Sequence, residues 1–157
     1  GSDTAYESDN IDISAYTDPA RGKILVVDRS WISFSSDSAG PIAVGDIGAA
    51  ATVSVGVQAC SEVQTGLVSL DNNSLFLTSN LYATTASSKL TFMEQMSSLN
   101  PFETTGGFIV PTDRIHVGCD GDMTWDNPIQ IGFVFEVHTE KLSLSRLQEL
   151  LVSLTAN

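Results

Sequence analysis

Three aspartates fall within seven residues in the stretch Cys119-Asp120-Gly121-Asp122-Met123-Thr124-Trp125-Asp126-Asn127-Pro128. Carboxylates are hard oxygen ligands, and Asp120, Asp122 and Asp126 are spaced so that one loop gathers a Ca²⁺ ion, conceivably between subunits. The EF-hand pattern fails, because Trp125 stands where its glycine belongs and no Glu closes the loop. The other reading is a solvated turn between two strands. No other cofactor is expected. His116 and His138 both sit in strand patterns with no second ligand at short range. His138 shares its parity with Glu136, and a general base there would need partners brought from elsewhere. Both read as surface strand histidines. No G-x-S-x-G elbow, Walker A loop, G-x-G-x-x-G turn or H-E-x-x-H helix is present. No catalytic residue is assigned, and the expectation is a protein that is not an enzyme.

Cys60 and Cys119 are the only cysteines. They form no Cys-x-x-Cys pair for zinc or redox chemistry, and two are too few for a disulfide framework. Cys60 ends an apolar strand pattern, where a thiol packs as a small hydrophobe; Cys119 is expected in a loop. Two free thiols are favoured over a bridge. Asn72-Asn73-Ser74 matches the N-glycosylation acceptor pattern, and without a secretory signal it reads as accidental. Trp31 and Trp125 are expected in core or rim packing.

These residues must be held by strands. At 157 residues, 42% hydrophobic and 17% charged, the chain fits one domain with a core of its own. No run approaches the roughly 18 to 20 apolar residues of a membrane helix, and no signal peptide opens the sequence. The net charge of −12 disfavours direct contact with nucleic acid, since the seven Lys and Arg residues are scattered. The acidity reads as solubility by self-repulsion, with a halophilic origin as the lesser alternative.

Residues 1–22 read as an acidic N-terminal arm or lead-in carrying Asp9, Asp12 and Asp18. Residues 23–140 read as a β-sandwich. Ile24–Val27 and Trp31–Phe34 are strand-like. Val53, Val55, Val57 and Ala59 alternate with Thr52, Ser54, Gly56 and Gln58, giving one buried and one wet face. Leu67–Leu70 and Leu75–Leu77 flank Asp71-Asn72-Asn73 as a hairpin. Leu90 with Phe92, Phe108–Val110 and Ile115–Val117 supply shorter pieces. The strongest strand places Ile129, Ile131, Phe133, Phe135 and Val137 on one parity, so that a register slip would expose all of them. Residues 141–157 hold one amphipathic helix, with Leu144, Leu147, Leu150, Leu151 and Leu154 at three- and four-residue steps after Ser143 or Ser145 as N-cap. It packs on the sandwich or on a neighbouring subunit. The fold class is all-β: an antiparallel β-sandwich of about eight strands with one C-terminal helix.

Two passages together resemble the end of a viral single-jelly-roll capsid subunit, as in small icosahedral and satellite viruses. They are Gly107-Phe108-Ile109-Val110-Pro111-Thr112-Asp113-Arg114-Ile115-His116-Val117 and Asn127-Pro128-Ile129-Gln130-Ile131-Gly132-Phe133-Val134-Phe135-Glu136-Val137. A strand enters after a Pro-Asp corner, and a long apolar strand then closes the sheet. The resemblance covers about the last third of the chain and implies a jelly roll of two four-stranded sheets. It implies a virion protein whose partners are copies of itself. Such coat proteins carry a basic N-terminal arm for RNA, which the acidic N-terminus here lacks; Gly1-Ser2 reads as the remnant of a cleaved tag, so the alternatives are an upstream basic arm that was removed or a subunit that does not package RNA. The competing expectation is a receptor- or carbohydrate-binding β-sandwich, an adhesin or spike head, with its site in loops such as 120–127.

Overall fold

Alternation of apolar and polar residues dictates strands, and the described residues form eight of them. The structure, a computed structural model, describes residues 5–48, 51–86, 89–98, 106–122 and 125–155. In chain order these give β1 (Glu7–Asp12), a 3-10 turn (Pro19–Arg21), β2 (Lys23–Ser36), the one-turn helix α1 (Val44–Ile47) and β3 (Thr52–Cys60). There follow β4 (Leu75–Ala86), β5 (Lys89–Ser98), β6 (Phe108–Val110), β7 (Arg114–Gly121), β8 (Ile129–Lys141) and the helix α2 (Leu144–Thr155).

All strand pairs are antiparallel. One sheet has five strands in the order β1-β7-β3-β4-β5, the other three in the order β6-β2-β8. The chain is therefore an all-β antiparallel sandwich with a short C-terminal helix. The division is five and three, where the jelly-roll resemblance implies four and four. The extra strand in the larger sheet is β1, drawn from the acidic lead-in. It pairs with β7 along its whole length, from Glu7 opposite Cys119 to Asp12 opposite Arg114. Ile13, just after it, is buried in the core. The lead-in is thus a bound edge strand, because β7 offers it an unpaired backbone ladder.

Between the sheets lie two clusters. The first joins Leu25, Val27, Val57, Ala59, Phe76, Leu77, Val110 and Ile115, with Phe108, Phe133 and Phe135 against it. Phe76 sits at its centre, its ring 4.9 Å from Phe108 and 5.7 Å from Phe135. The second gathers Ile47, Val53, Val55, Leu81, Trp125 and Ile129.

Ile24–Val27 and Trp31–Phe34 belong to one continuous strand. A β-bulge between Val27 and Arg29 leaves Asp28 as the extra residue. Such an insertion re-aims the side chain it carries.

The hairpin expected over 67–77 is absent. Only its second arm is a strand, and β4 pairs with β3 on one side and β5 on the other. Because both edges of β4 are taken, no ladder is left there for residues 67–70. The buried side chain of Gln58 binds that loop instead: its Nε2 donates to the Gly66 carbonyl at 2.9 Å, and its Oε1 accepts from the Val68 N–H at 2.8 Å. Leu67 lies directly over Gly56, where a Cβ would collide with it. The face of β3 expected to be wet is consequently covered at Gly56 and Gln58, the latter only 1% exposed.

Helix α2 begins at Ser143, whose Oγ accepts the Arg146 N–H at 3.3 Å as an N-cap. The helix comes against the 3-10 turn, and the Leu142 N–H beside it donates to the Gly22 carbonyl at 2.8 Å. Leu144 and Val152 are exposed; the side chains of Leu147, Leu150, Leu151 and Leu154 lie outside the described residues.

Candidate functional site

The three aspartates of the acidic stretch are dispersed. Cys119 and Asp120 lie in β7 rather than in a loop, since β7 keeps pairing with β3 up to Gly121. Asp120 stands opposite Gly56. The Asp122 backbone N–H donates to the Ser54 carbonyl at 3.1 Å. Asp126 lies beyond this, its carboxylate against Gly48, whose positive φ of 96° no side chain would share comfortably. The loop around it is docked through Asn127, which donates from Nδ2 to Asp46 Oδ1 at 3.2 Å and from its backbone to the Asp46 carbonyl. Among the described residues, no three His, Cys, Asp or Glu side chains are gathered to share a metal ion. Met123 and Thr124 lie outside the described residues.

The histidines part company. His116 is half-buried on β7, and desolvation, reinforced by the nearby Arg114 charge, lowers its pKa. His138, on β8, has a carboxylate at each ring nitrogen: Asp28 Oδ2 at 2.6 Å from Nδ1 and Glu140 Oε1 at 2.9 Å from Nε2. Glu140 shares the face of His138 because strand side chains repeat every second residue. Asp28 arrives from β2, swung across by the bulge. The hydrogen bond to Asp28, then that to Glu140, raise the His138 pKa above its ordinary 6.5. Glu140 was legible from its spacing; the bulge that delivers Asp28 leaves no mark in the sequence.

This clamp favours the imidazolium, because only the charged ring donates from both nitrogens. With both nitrogens so engaged, neither offers a lone pair for proton abstraction or metal ligation. Its chemistry is a charge-assisted tie between β2 and β8.

Both thiols are free. Cys60 pairs with His116 and Cys119 with Val57, so the two sit at different levels of adjacent strands. Burial pushes the Cys60 thiol up to about 11, and burial followed by the Glu7 charge raises that of Cys119. Asn72 closes a small turn, its Oδ1 accepting from the Ser74 N–H at 2.9 Å and hydroxyl at 2.7 Å. Ser74 of the acceptor pattern is itself buried.

One concavity was not foreseen. A groove of about 550 Å³ opens between the sheets, where Ile11, Val57 and Val117 face Ile129, Ile131 and Phe133. It exists because β8 ends the three-stranded sheet, leaving β1 and the outer part of β7 without a strand opposite among the described residues. Glu7 pairs with Cys119 and Asp9 with Val117, so both carboxylates share the face of those inward residues. A narrower extension of the groove reaches Trp125 beside Asp120 and Cys119. Trp125 is buried, and its indole N–H has no hydrogen-bond partner among the described residues.

On the opposite, outer face of the small sheet, Trp31 and Val134 are cross-strand partners and stand 45% and 60% exposed. No helix among the described residues is long and apolar enough to cross a membrane. No protein-family model matches this chain, and neither does a curated protein or a solved structure.

Proposed function

We propose that the chain is a structural protein of a virion, a capsid-type β-sandwich that works by repeated contacts between copies and performs no catalysis. The observation that carries this reading is the apolar pair Trp31 and Val134 on the outer face of a rigid two-strand ladder. A large aromatic residue and a β-branched one side by side, left exposed by the described residues, are suited to burial against another protein surface. The histidine clamp supports the non-catalytic half of the proposal, because both ring nitrogens are engaged. The sequence resemblance to jelly-roll coat proteins supports the rest.

The net charge of −12 sets a condition on assembly. Copies repel one another at low ionic strength, so association is expected to strengthen as salt rises and screening shortens the reach of that repulsion. Light scattering and negative-stain microscopy across salt, pH and Ca²⁺ should show symmetric oligomers or particles, since closed assemblies repeat one interface. Replacing Trp31 and Val134 together by Ser should dissolve them while leaving the circular dichroism spectrum unchanged. A monomer under every condition defeats the proposal.

A further inference from the structure

We propose that the groove between β1 and β8 is a docking site for an extended segment of another protein, which adds as a fourth strand to the free edge of β8 and carries Lys or Arg among its inward-facing apolar residues.

Three observations converge on such an occupant. First, among the described residues the thirteen-residue strand β8 pairs only with β2. Its other edge presents backbone donors and acceptors with no partner among the described residues, the template on which strand addition works. Second, the inward row of β8 is incompletely covered. Ile131, Phe133 and Phe135 are only half-buried, and Ile11 across the groove is exposed. A strand beside β8 would close the space above these side chains. Third, the wall facing that space is acidic: Glu7 and Asp9 lie on its inner face. Carboxylates beside apolar side chains select a cationic residue flanked by apolar ones, and reject both a purely greasy chain and an acidic one. That charge also argues against a second copy of this chain, whose own net charge is −12. Inward-pointing charges on an edge strand are a known guard against indiscriminate edge pairing, and here the same guard sets what a partner must bring. The proposal concerns the inner groove and the β8 edge, and it stands whether or not the outer face at Trp31 mediates assembly.

The probe is a short synthetic peptide in which Thr alternates with Ile and Lys in turn; its control has Glu for every Lys. Binding to the full chain is followed by calorimetry, by amide hydrogen exchange, and by the rate at which a thiol reagent modifies Cys119 in the groove. The Lys peptide is expected to bind saturably, to slow exchange along β8, and to slow modification of Cys119, with the Glu peptide inert. Asp9→Lys, on the exposed edge strand β1, should weaken the Lys peptide about fivefold, the size of exchanging one favourable surface pair for a repulsive one. Because this variant leaves the core untouched, a loss of binding cannot be laid to unfolding. No binding by either peptide, equal binding by both, or protection at β5 or β6 in place of β8 each overturns the proposal. So does protection of β8 that grows with protein concentration in the absence of peptide, since the occupant is then a second copy.

Discussion

The two strands with the clearest alternation, β3 and β8, meet opposite fates. Strand β3 lies in the middle of its sheet, and from Val55 to Cys60 it is buried on both faces. Its inner row meets the core, and its outer row is covered by the loop latched to Gln58. Strand β8 has the longer and more regular apolar row, yet that row is half-open, and its last member, Val137, is 42% exposed. Pattern tells which side chains share a face. Neighbours decide how much of that face is hidden, and among the described residues β8 has a neighbour on one side only.

The largest effect should come from the core aromatic on the covered side. Phe76 is fully buried, and Phe76→Ala is expected to cost about 3–5 kcal/mol through lost transfer energy and the cavity left behind. Phe133, stacked on Phe135 at 6.2 Å but bordering the groove, should cost less than half as much when truncated. Urea titration of both variants measures the contrast. Equal losses would mean that the groove is closed in solution and that the two strands do not differ as described.

The cysteines sharpen the same contrast without a core substitution. Cys60 lies on the covered side, and a thiol raised from 9.0 to about 11 has roughly a hundredfold less thiolate near neutral pH. Its buried position slows attack further. Cys119 borders the groove and is half-exposed. Cys119 is itself raised, but less than Cys60, and is more accessible; under one reagent it should react at least about tenfold faster than Cys60, as read by mass spectrometry over time. The sign for stability follows: both thiols are raised in the folded state, so each destabilises the fold only as the pH climbs past the ordinary thiol range near 8.5.

Gln58 is the residue that makes β3 two-sided. Removing its side chain leaves the Val68 N–H and the Gly66 carbonyl without their partner, and also frees Tyr6, whose hydroxyl accepts from Gln58 Nε2 at 2.9 Å. Gln58→Ala should cost about 1–3 kcal/mol, the usual penalty for stranding buried polar groups. It should also make residues 61–74 sensitive to protease. Loss of stability with the loop still protected would show that Leu67 seated over Gly56 holds the loop, and that Gln58 does not.

How much of this was written in the sequence depends on the range of the interaction. Alternation is local, so β3, β6, β7, β8 and the shared faces of their residues were readable, and the helix cap was narrowed to Ser143 or Ser145, of which Ser143 takes the role. The covering of Gln58 was hidden, because a Gln at an outward position reads as solvated unless the path of a distant loop is known. The hairpin at 67–77 misled for the same reason: Asp71-Asn72-Asn73 does turn the chain, but strand pairing needs a partner ladder and β4 had none to spare, held between β3 and β5. The lead-in was read as loose from its acidity, whereas edge strands tolerate charge and β7 supplied the pairing. At the candidate sites, Asp120, Asp122 and Asp126 were close in sequence and separated by the strand that runs through the first of them. Asp28 and His138 were 110 positions apart and joined by a bulge.

The smallest effect belongs to that clamp, and it bears on how firmly β8 is held on its one paired side. His138 is exposed, so its hydrogen bonds to Asp28 and Glu140 are screened by water and their worth is modest. Its folded pKa is raised above the ordinary 6.5. The stabilisation is therefore complete below about pH 6.5, where the ring is charged in folded and unfolded chains alike, and it fades as the pH rises through the raised folded value. His138→Gln keeps polarity and approximate size but cannot carry the charge. It should flatten this slope in the urea midpoint between mildly acidic and mildly alkaline pH while changing the midpoint little at the alkaline end. Asp28→Asn should flatten it in the same way and return the histidine resonance in NMR titration toward its ordinary pKa. If His138→Gln leaves the slope as steep as before, the pH dependence resides elsewhere. The bulge at Asp28 then serves only to bend β2, and β8 is held by its backbone ladder alone.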